Sequence, residues 1–260
     1  MGRNNLLRFD ARQKSGFPRV DARQRVYAIG DIHGRFDLFM DLMGIICEDA
    51  HSKKDERQTC FVFMGDYIDR GENSAEVLQT LTSLARMGSK HIVFLRGNHE
   101  AALQQFLISP KDAAEWLDFG GLQTLLSFGI QPPRFSAGQS DLIRVRDDLA
   151  MALSAYQLLF DTMVDVHRSG DVVFAHAGVD PNARLEEQSS DTLLWGHRDG
   201  LIDQPIPGIG IVHGHYDDAS PVRLRGRICV DTGAYYTNKL TAVRLDDRDA
   251  FLSTKENVTL

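Results

Sequence analysis

The 260-residue chain has only three cysteines, Cys47, Cys60 and Cys229, scattered and without a C-x-x-C pair. An odd, widely spaced set argues against a disulfide framework and fits reduced thiols in a cytoplasmic protein. Cys60 and Cys229 sit in apolar runs and are expected in the core. No apolar run approaches the roughly 18 residues of a membrane span, so no membrane partner is expected. The N-terminus lacks the apolar segment of a secretory leader. Met1-Gly2 is not a myristoylation signal, because Leu6 stands where Ser or Thr is needed. An excess of positive charge is missing too: 29 Lys and Arg face 36 Asp and Glu, a net charge of −7. Nucleic acid binding rests mainly on phosphate neutralisation by Lys and Arg, so nucleic acid is not an expected partner. Basic residues gather only near the start (Arg3, Arg8, Arg12, Lys14, Arg19, Arg23, Arg25), which reads as a solvated arm. Repeats, low-complexity tracts and an obvious linker are all lacking. The economical division is an arm over 1–24, one domain over 25–250 and a tail over 251–260.

What is present is a core-forming composition, 43% apolar and 25% charged. Short apolar runs at 26–29, 60–64 and 92–95 read as buried strands. Between the first two, Phe36, Phe39, Met43 and Ile46 fall on one helical face. Between the next two, Asn73 and Glu76 resemble a helix start, Val77, Leu81, Leu84 and Ala85 continue it, and Gly88 is placed to end it. Unbroken apolar strands alternating with helices predict βαβ units in a parallel sheet covered on both faces. Residues 100–165 read instead as a helical insertion, broken at Gln131-Pro132-Pro133-Arg134. Strands return at 172–175, 209–212, 227–230 and 240–243, close enough for antiparallel pairing.

Every strand end carries polar groups that packing does not need. Gly30-Asp31-Ile32-His33-Gly34 follows the first strand, Gly65-Asp66-Tyr67-Ile68-Asp69-Arg70-Gly71 the second and Arg96-Gly97-Asn98-His99-Glu100 the third. Later strands end at His176 and at His213-Gly214-His215. Ligands in open α/β sheets bind beyond the carboxyl ends of the strands, so Asp31, His33, Asp66, Asn98, His176 and His215 are expected on one rim. Burying such groups unpaired is costly, and divalent cations remove that cost. Oxygen and imidazole donors suit manganese, iron or zinc. Two metals roughly 3.5–4 Å apart are the usual arrangement for phosphate ester hydrolysis, with Asp66 the candidate bridge. A lone Asp-x-His is weak, but each of the first three segments arises by chance at about 10⁻³ or less in a chain of average composition.

These motifs, with Ala175-His176-Ala177-Gly178, Gly214-His215-Tyr216 and Val230-Asp231-Thr232-Gly233-Ala234, resemble the calcineurin-like metallophosphoesterases. Within them they are most similar to bacterial and phage phosphoprotein phosphatases, over about residues 26–245. The resemblance implies a β-sandwich flanked by helices around a βαβαβ core. It implies two divalent metals, with manganese preferred and iron or zinc as alternatives. One would be held by Asp31, His33 and Asp66, the other by Asp66, Asn98, His176 and His215. It further implies Arg70 and Arg96 as phosphate binders, His99 as general acid and Asp69 as its orienting partner. The implied reaction is in-line attack by a metal-activated hydroxide. Arg198, after Trp195, is a weaker phosphate-binding candidate. His213 reads as structural, and Tyr235 and Tyr236 as packing or as site lining.

Within that resemblance, Asp69 and Glu100 imply the protein-phosphatase branch, and so a phosphorylated protein or small phosphoester as partner, whereas the stretches 116–121 and 124–129 resemble bacterial members of both this branch and the diadenosine tetraphosphatases. Three readings stay open: a phosphoserine, phosphothreonine or phosphotyrosine phosphatase; a hydrolase of dinucleoside polyphosphates or other nucleotides; and an inactive phosphoprotein-binding scaffold. Retention of every ligand and of His99 speaks against the last. From its position alone, the insertion is expected to overhang the cleft and set specificity. The oligomeric state is not legible.

Overall fold

The computed structural model describes residues 17–134, 138–197 and 205–254. The chain opens with β1 (Gln24–Ile29), crosses through α1 (Phe36–Ser52) to β2 (Gln58–Phe63), and through α2 (Ser74–Arg86) to β3 (Ile92–Phe94). A helical stretch follows: α3 (Asn98–Ile108), α4 (Gly121–Ser127), α5 (Gly138–Leu153) and α6 (Gln157–Thr162). It is irregular over 131–134, where Pro132 and Pro133 deny the helix two backbone donors. The remainder is β4 (Val166–Ser169), β5 (Val172–Ala175), α7 (Ser190–Trp195), β6 (Gly210–His213), β7 (Val222–Arg223), β8 (Arg227–Cys229), α8 (Ala234–Thr237), β9 (Thr241–Leu245) and β10 (Ala250–Ser253).

Two five-stranded sheets result, ordered β10-β9-β1-β2-β3 and β4-β5-β6-β8-β7. In the first, β1, β2 and β3 are parallel, as their helical crossovers require, and β9 and β10 add antiparallel strands beside β1. In the second, β5, β6 and β8 are parallel, and only the edge strands β4 and β7 are antiparallel. The antiparallel pairing expected of the late strands therefore holds at the edges and for β9–β10, not for the centre of the second sheet. The connection from β5 runs through α7 before β6, and β7 lies outside β8 rather than between β6 and β8.

Side-chain alternation explains the unbroken apolar runs. Val26 and Ala28 of β1 join Val62, Val172, Phe174, Val212 and Ile228 in a core between the sheets. Tyr27 and Ile29 point the other way, into a core shared with Phe39, Leu42, Phe63, Leu78 and Leu81 under the helices. Cys60 and Cys229 are buried as expected. The buried face of α1 is Leu38, Phe39, Leu42 and Ile46, so Phe36 and Met43 lie at its edge rather than at its centre. Phe17 and Val20, inside the stretch read as an arm, are buried between the sheets, and β10 runs past the tail boundary at 250. The folded body thus takes in 17–24 and 251–254, because both stretches supply apolar side chains to its core. No helix among the described residues is long and apolar enough to cross a membrane.

Candidate metal centre

The parallel strands of both sheets end at a common rim. Asp31 follows β1, Asp66 follows β2, Asn98 opens α3 just after β3, His176 follows β5 and His215 follows β6. Asp66 sits at the middle. Its Oδ2 lies 3.5 Å from His33 Nε2, and its Oδ1 lies 3.4 Å from His176 Nε2. Asn98 Oδ1 stands 2.9 Å from His176 Nε2 and 3.0 Å from His215 Nδ1. Asp31 Oδ2 accepts the His215 backbone N–H at 3.0 Å. Two sets of donor atoms lie within 4.8 Å of one another: His33, Asp66 and His99, and Asp66, His176 and His215. Asp31 belongs to neither set and is tied to the second through the His215 amide.

The backbone is bent to make this approach. His33, Asp66, Asp69, Arg70 and His215 all have positive φ, between 46° and 72°. Non-glycine residues rarely adopt that region, and such strain gathers at functional sites. Gly97 has to be glycine: a Cβ there would lie 2.1 Å from Asp66 Oδ1. Glu100 ties the loops together from beneath, accepting the backbone N–H groups of Asp66 (2.9 Å), Tyr67 (2.8 Å) and Gly97 (3.0 Å). Burial and the nearby Asp66 push its carboxyl up to about 7, against these donors.

The donor set fits divalent cations. His33 and His176 each point Nδ1 at a main-chain carbonyl, of Ile68 at 2.9 Å and of Met64 at 2.8 Å, which fixes the tautomer that leaves Nε2 as ligand. Burial holds His33 neutral, its pKa lowered to about 3. Asp31 Oδ1 is buried with no hydrogen-bond partner. Burial and the Asp231 carboxylate push Asp31 well above the usual range. Burial would raise Asp66 also, but His176, His99 and His33 override it and hold that carboxyl well below. His176 is correspondingly pushed up to about 10: burial opposes its charge, but Asp66 and Asp31 outweigh it. A pocket that raises the proton affinity of an imidazole this far, and leaves a carboxylate oxygen unpartnered, calls for positive charge.

Beside the cluster, His99 Nδ1 is 2.7 Å from Asp69 Oδ2, and its Nε2 faces Asp66 Oδ2 at 3.9 Å. Burial disfavours its charged form, but Asp66 and then Asp69 raise its pKa above the ordinary value. Arg70 places Nη1 3.1 Å from His33 Nε2, and its guanidinium lies over the Tyr235 ring, 4.7 Å from the centroid. Arg96 is not brought to the cluster in the same way. It forms a two-pronged pair with Asp165, at 2.9 Å on each arm, and reaches Gln104 at 3.4 Å. His213 is fully engaged, Nδ1 with the Gly214 carbonyl at 2.8 Å and Nε2 with Arg227 at 3.1 Å, which is a structural placement. Tyr235 stands edge-on to His33, and the Tyr236 hydroxyl donates to Asp217. Arg198 lies outside the described residues.

Two residues beside the site lie in the stretches 116–121 and 124–129, whose resemblance to bacterial relatives gave them no role. The Trp116 indole N–H donates to Asp69 Oδ2 at 2.8 Å, and the Thr124 hydroxyl donates to Asp69 Oδ1 at 2.5 Å. They stand 47 and 55 residues beyond Asp69 in the chain.

The model of the calcineurin-like phosphoesterase family matches residues 24–225. The chain therefore belongs to the calcineurin-like phosphoesterase family and is a metal-binding phosphoester hydrolase. Among curated relatives, a bis(5'-nucleosyl)-tetraphosphatase PrpE [asymmetrical] of Anoxybacillus flavithermus is 28% identical over 85% of this chain and 90% of its own length. A serine/threonine-protein phosphatase SIT4 of Candida albicans is 40% identical, but over only 29% of this chain and 23% of its own. A crystal structure provisionally described as a diadenosine tetraphosphatase superposes with a TM-score of 0.58 at 18% identity, covering 92% of this chain and 98% of that one. At that identity the superposition speaks to the fold alone.

Proposed function

We propose that the protein hydrolyses dinucleoside polyphosphates, with two manganese ions as its cofactors. The observation that carries this reading is the span of the likeness: a relative matching over 85% of this chain is named a bis(5'-nucleosyl)-tetraphosphatase, while the likeness to the serine/threonine-protein phosphatase covers 29% of the chain. This moves the preference away from the protein-phosphatase reading that Asp69 and Glu100 favoured. Both carboxylates face inward, Asp69 toward His99, Trp116 and Thr124, and Glu100 toward backbone amides. Neither is offered directly to a leaving group, so the presence of these carboxylates does not by itself exclude a nucleotide substrate.

Cations held by Asp31, His33 and Asp66, and by Asp66, Asn98, His176 and His215, would supply charge to the phosphoryl oxygens and acidify a water. Arg70, which has no carboxylate partner among the described residues, grips the same phosphoryl group with its planar donors. His99, protonated and oriented by Asp69, gives its proton to the departing oxygen. Tyr235, 37% exposed, lies under Arg70, and Tyr236, 52% exposed, packs against Tyr235; the pair offers aromatic surface to a base.

One observation favours a second reading, a phosphomonoesterase acting on phosphoserine or phosphothreonine. The Asp69–His99 pair is built to deliver a proton, and a serine alkoxide needs one more than a nucleotide phosphate does. The test is a comparison of kcat/KM on diadenosine tetraphosphate and on a phosphoserine peptide, using the purified manganese-loaded protein. A tenfold or greater preference for the dinucleotide is expected; the reverse order overturns the nucleotide reading.

A further inference from the structure

The helical insertion does more than border the site. Asp69 is fully buried, and three side chains close on its carboxylate: His99, Trp116 and Thr124. Its backbone N–H is claimed too, by Thr124 Oγ1 at 3.0 Å and Ser74 Oγ at 3.1 Å. Thr124 thus grips both the main chain and the side chain of one residue. The next residue, Arg70, donates its backbone N–H to the Gly120 carbonyl at 3.3 Å. Gly120 has φ +116°, and a Cβ there would lie 2.5 Å from Arg70 N. A Cβ on Gly121 would lie 2.6 Å from the Trp116 ring. The glycine pair therefore lets the segment close on Arg70 on one side and seats the indole on the other.

Asp69 and Arg70 are consecutive non-glycine residues with φ of +72° and +68°. Each such residue costs on the order of 1–3 kcal/mol and persists only where its surroundings over-determine it. Here those surroundings are Trp116, Gly120 and Thr124, with Ser74 from α2. A phenylalanine at 116 would keep most of the apolar contact that tryptophan makes. A valine at 124 would match the threonine in shape. What such replacements could not supply is a donor for each oxygen of the carboxylate.

We propose that Trp116 and Thr124 are positioning residues for leaving-group protonation: their two donors fix the Asp69 carboxylate so that the His99 ring faces the departing oxygen. This rests on the reading of His99 as the proton donor. It gives the insertion a part in the chemistry as well as in the shape of the cleft.

The experiment measures kcat/KM for 2,4-dinitrophenyl, 4-nitrophenyl and phenyl phosphate with the full-length, manganese-loaded protein. The enzymes compared are the wild type, Thr124→Val, Thr124→Ser, Trp116→Phe and Asp69→Asn. A general acid contributes about 10²–10⁴-fold, and its help grows as the leaving group worsens. Thr124→Val and Trp116→Phe are expected to lose about tenfold or more on phenyl phosphate and less than about threefold on the dinitrophenyl ester. Thr124→Ser, which restores the hydroxyl, recovers the wild-type dependence. Equal losses across the series, or no recovery with serine, overturn the proposal. If Asp69→Asn itself shows no leaving-group dependence, it is the proton-donor reading that fails, and the proposal falls with it for that separate reason. A second measurement needs no turnover: the downfield proton resonance of the His99 ring in the zinc-loaded protein. It is expected to move in Thr124→Val and Trp116→Phe, and an unmoved resonance in both overturns the proposal even if none of the three esters is cleaved.

Discussion

Replacing Asp69 by asparagine separates its charge from its hydrogen bonds. The carboxylate accepts from His99 Nδ1 at 2.7 Å and Trp116 Nε1 at 2.8 Å on one oxygen, and from Thr124 Oγ1 at 2.5 Å on the other. An asparagine carbonyl can take the first two, and its amide can donate to Thr124, whose hydroxyl then turns to Ser74 Oγ, 3.2 Å away. The three partners stay paired and one amide N–H is left over, so the fold should lose about 1–3 kcal/mol in urea denaturation. What goes is the charge. A hydrogen bond to a charged group contributes about 1 kcal/mol more than a neutral one, and that margin favours the imidazolium. The His99 pKa is raised above its ordinary value by Asp66 and Asp69, so the donor form persists at low pH and is lost as pH rises through the raised pKa. Without the Asp69 charge that loss comes earlier. The alkaline limb of kcat should therefore move to lower pH, and kcat on phenyl phosphate should fall about 10²-fold with metal content unchanged. Asp69→Ala instead strands two buried donors, the Trp116 indole N–H and the His99 Nδ1–H, at about 1–3 kcal/mol each, so it should lose more stability as well as rate. An asparagine variant whose alkaline limb stays in place would refute the reasoning, since the charge would then have no bearing on His99.

Three further outcomes are expected. Gly97→Ala replaces no proposed ligand, yet its Cβ would lie 2.1 Å from Asp66 Oδ1; elemental analysis should show metal lost from both sites, and full occupancy would remove Asp66 from the centre of the cluster. Glu100→Gln turns an amide toward backbone donors and should cost about 2–4 kcal/mol in urea denaturation; a loss below about 1 kcal/mol would mean the loops hold themselves. Arg70→Met should lower kcat/KM about 10²-fold through lost phosphoryl stabilisation, whereas Arg96→Met, which breaks a partly exposed pair with Asp165, should cost about 1 kcal/mol of stability and little rate; equal kinetic losses would restore Arg96 as a phosphate binder.

The alternation of strands and helices over the first hundred residues is legible because each strand is a continuous apolar run closed by glycine. The convergence of the strand ends follows from it. β4, β7 and β10 were not legible: they have four, two and four residues, too few for a period to show. β7 and much of β4 are also only half-buried edge strands. The engagement of Arg96 was hidden because its partner, Asp165, lies 69 residues away and carries no motif. The stretches holding Trp116 and Thr124 were legible as family-like, but the role of the two residues at Asp69 was not. A buried indole and hydroxyl look like core in a sequence, and only the fold shows the shared acceptor. Asp69 and Glu100 were legible as residues but not as discriminators of substrate, since the direction a carboxylate faces is not written in its neighbours.

The two sheets meet at the rim that carries the proposed metal ligands, and that has a consequence for how the chain folds. The bond from His215 to Asp31 spans 184 residues, that from His215 to Asn98 spans 117, and that from His176 to Met64 spans 112. Such distant pairings carry a large loop-closure entropy and are slow to form. The first sheet also waits for its own β9 and β10. A nascent chain that has not yet released β6 lacks His215, and with it one side of the proposed centre. In a refolding experiment, helical signal should therefore return before activity, and the lag between them would time the docking of one sheet on the other.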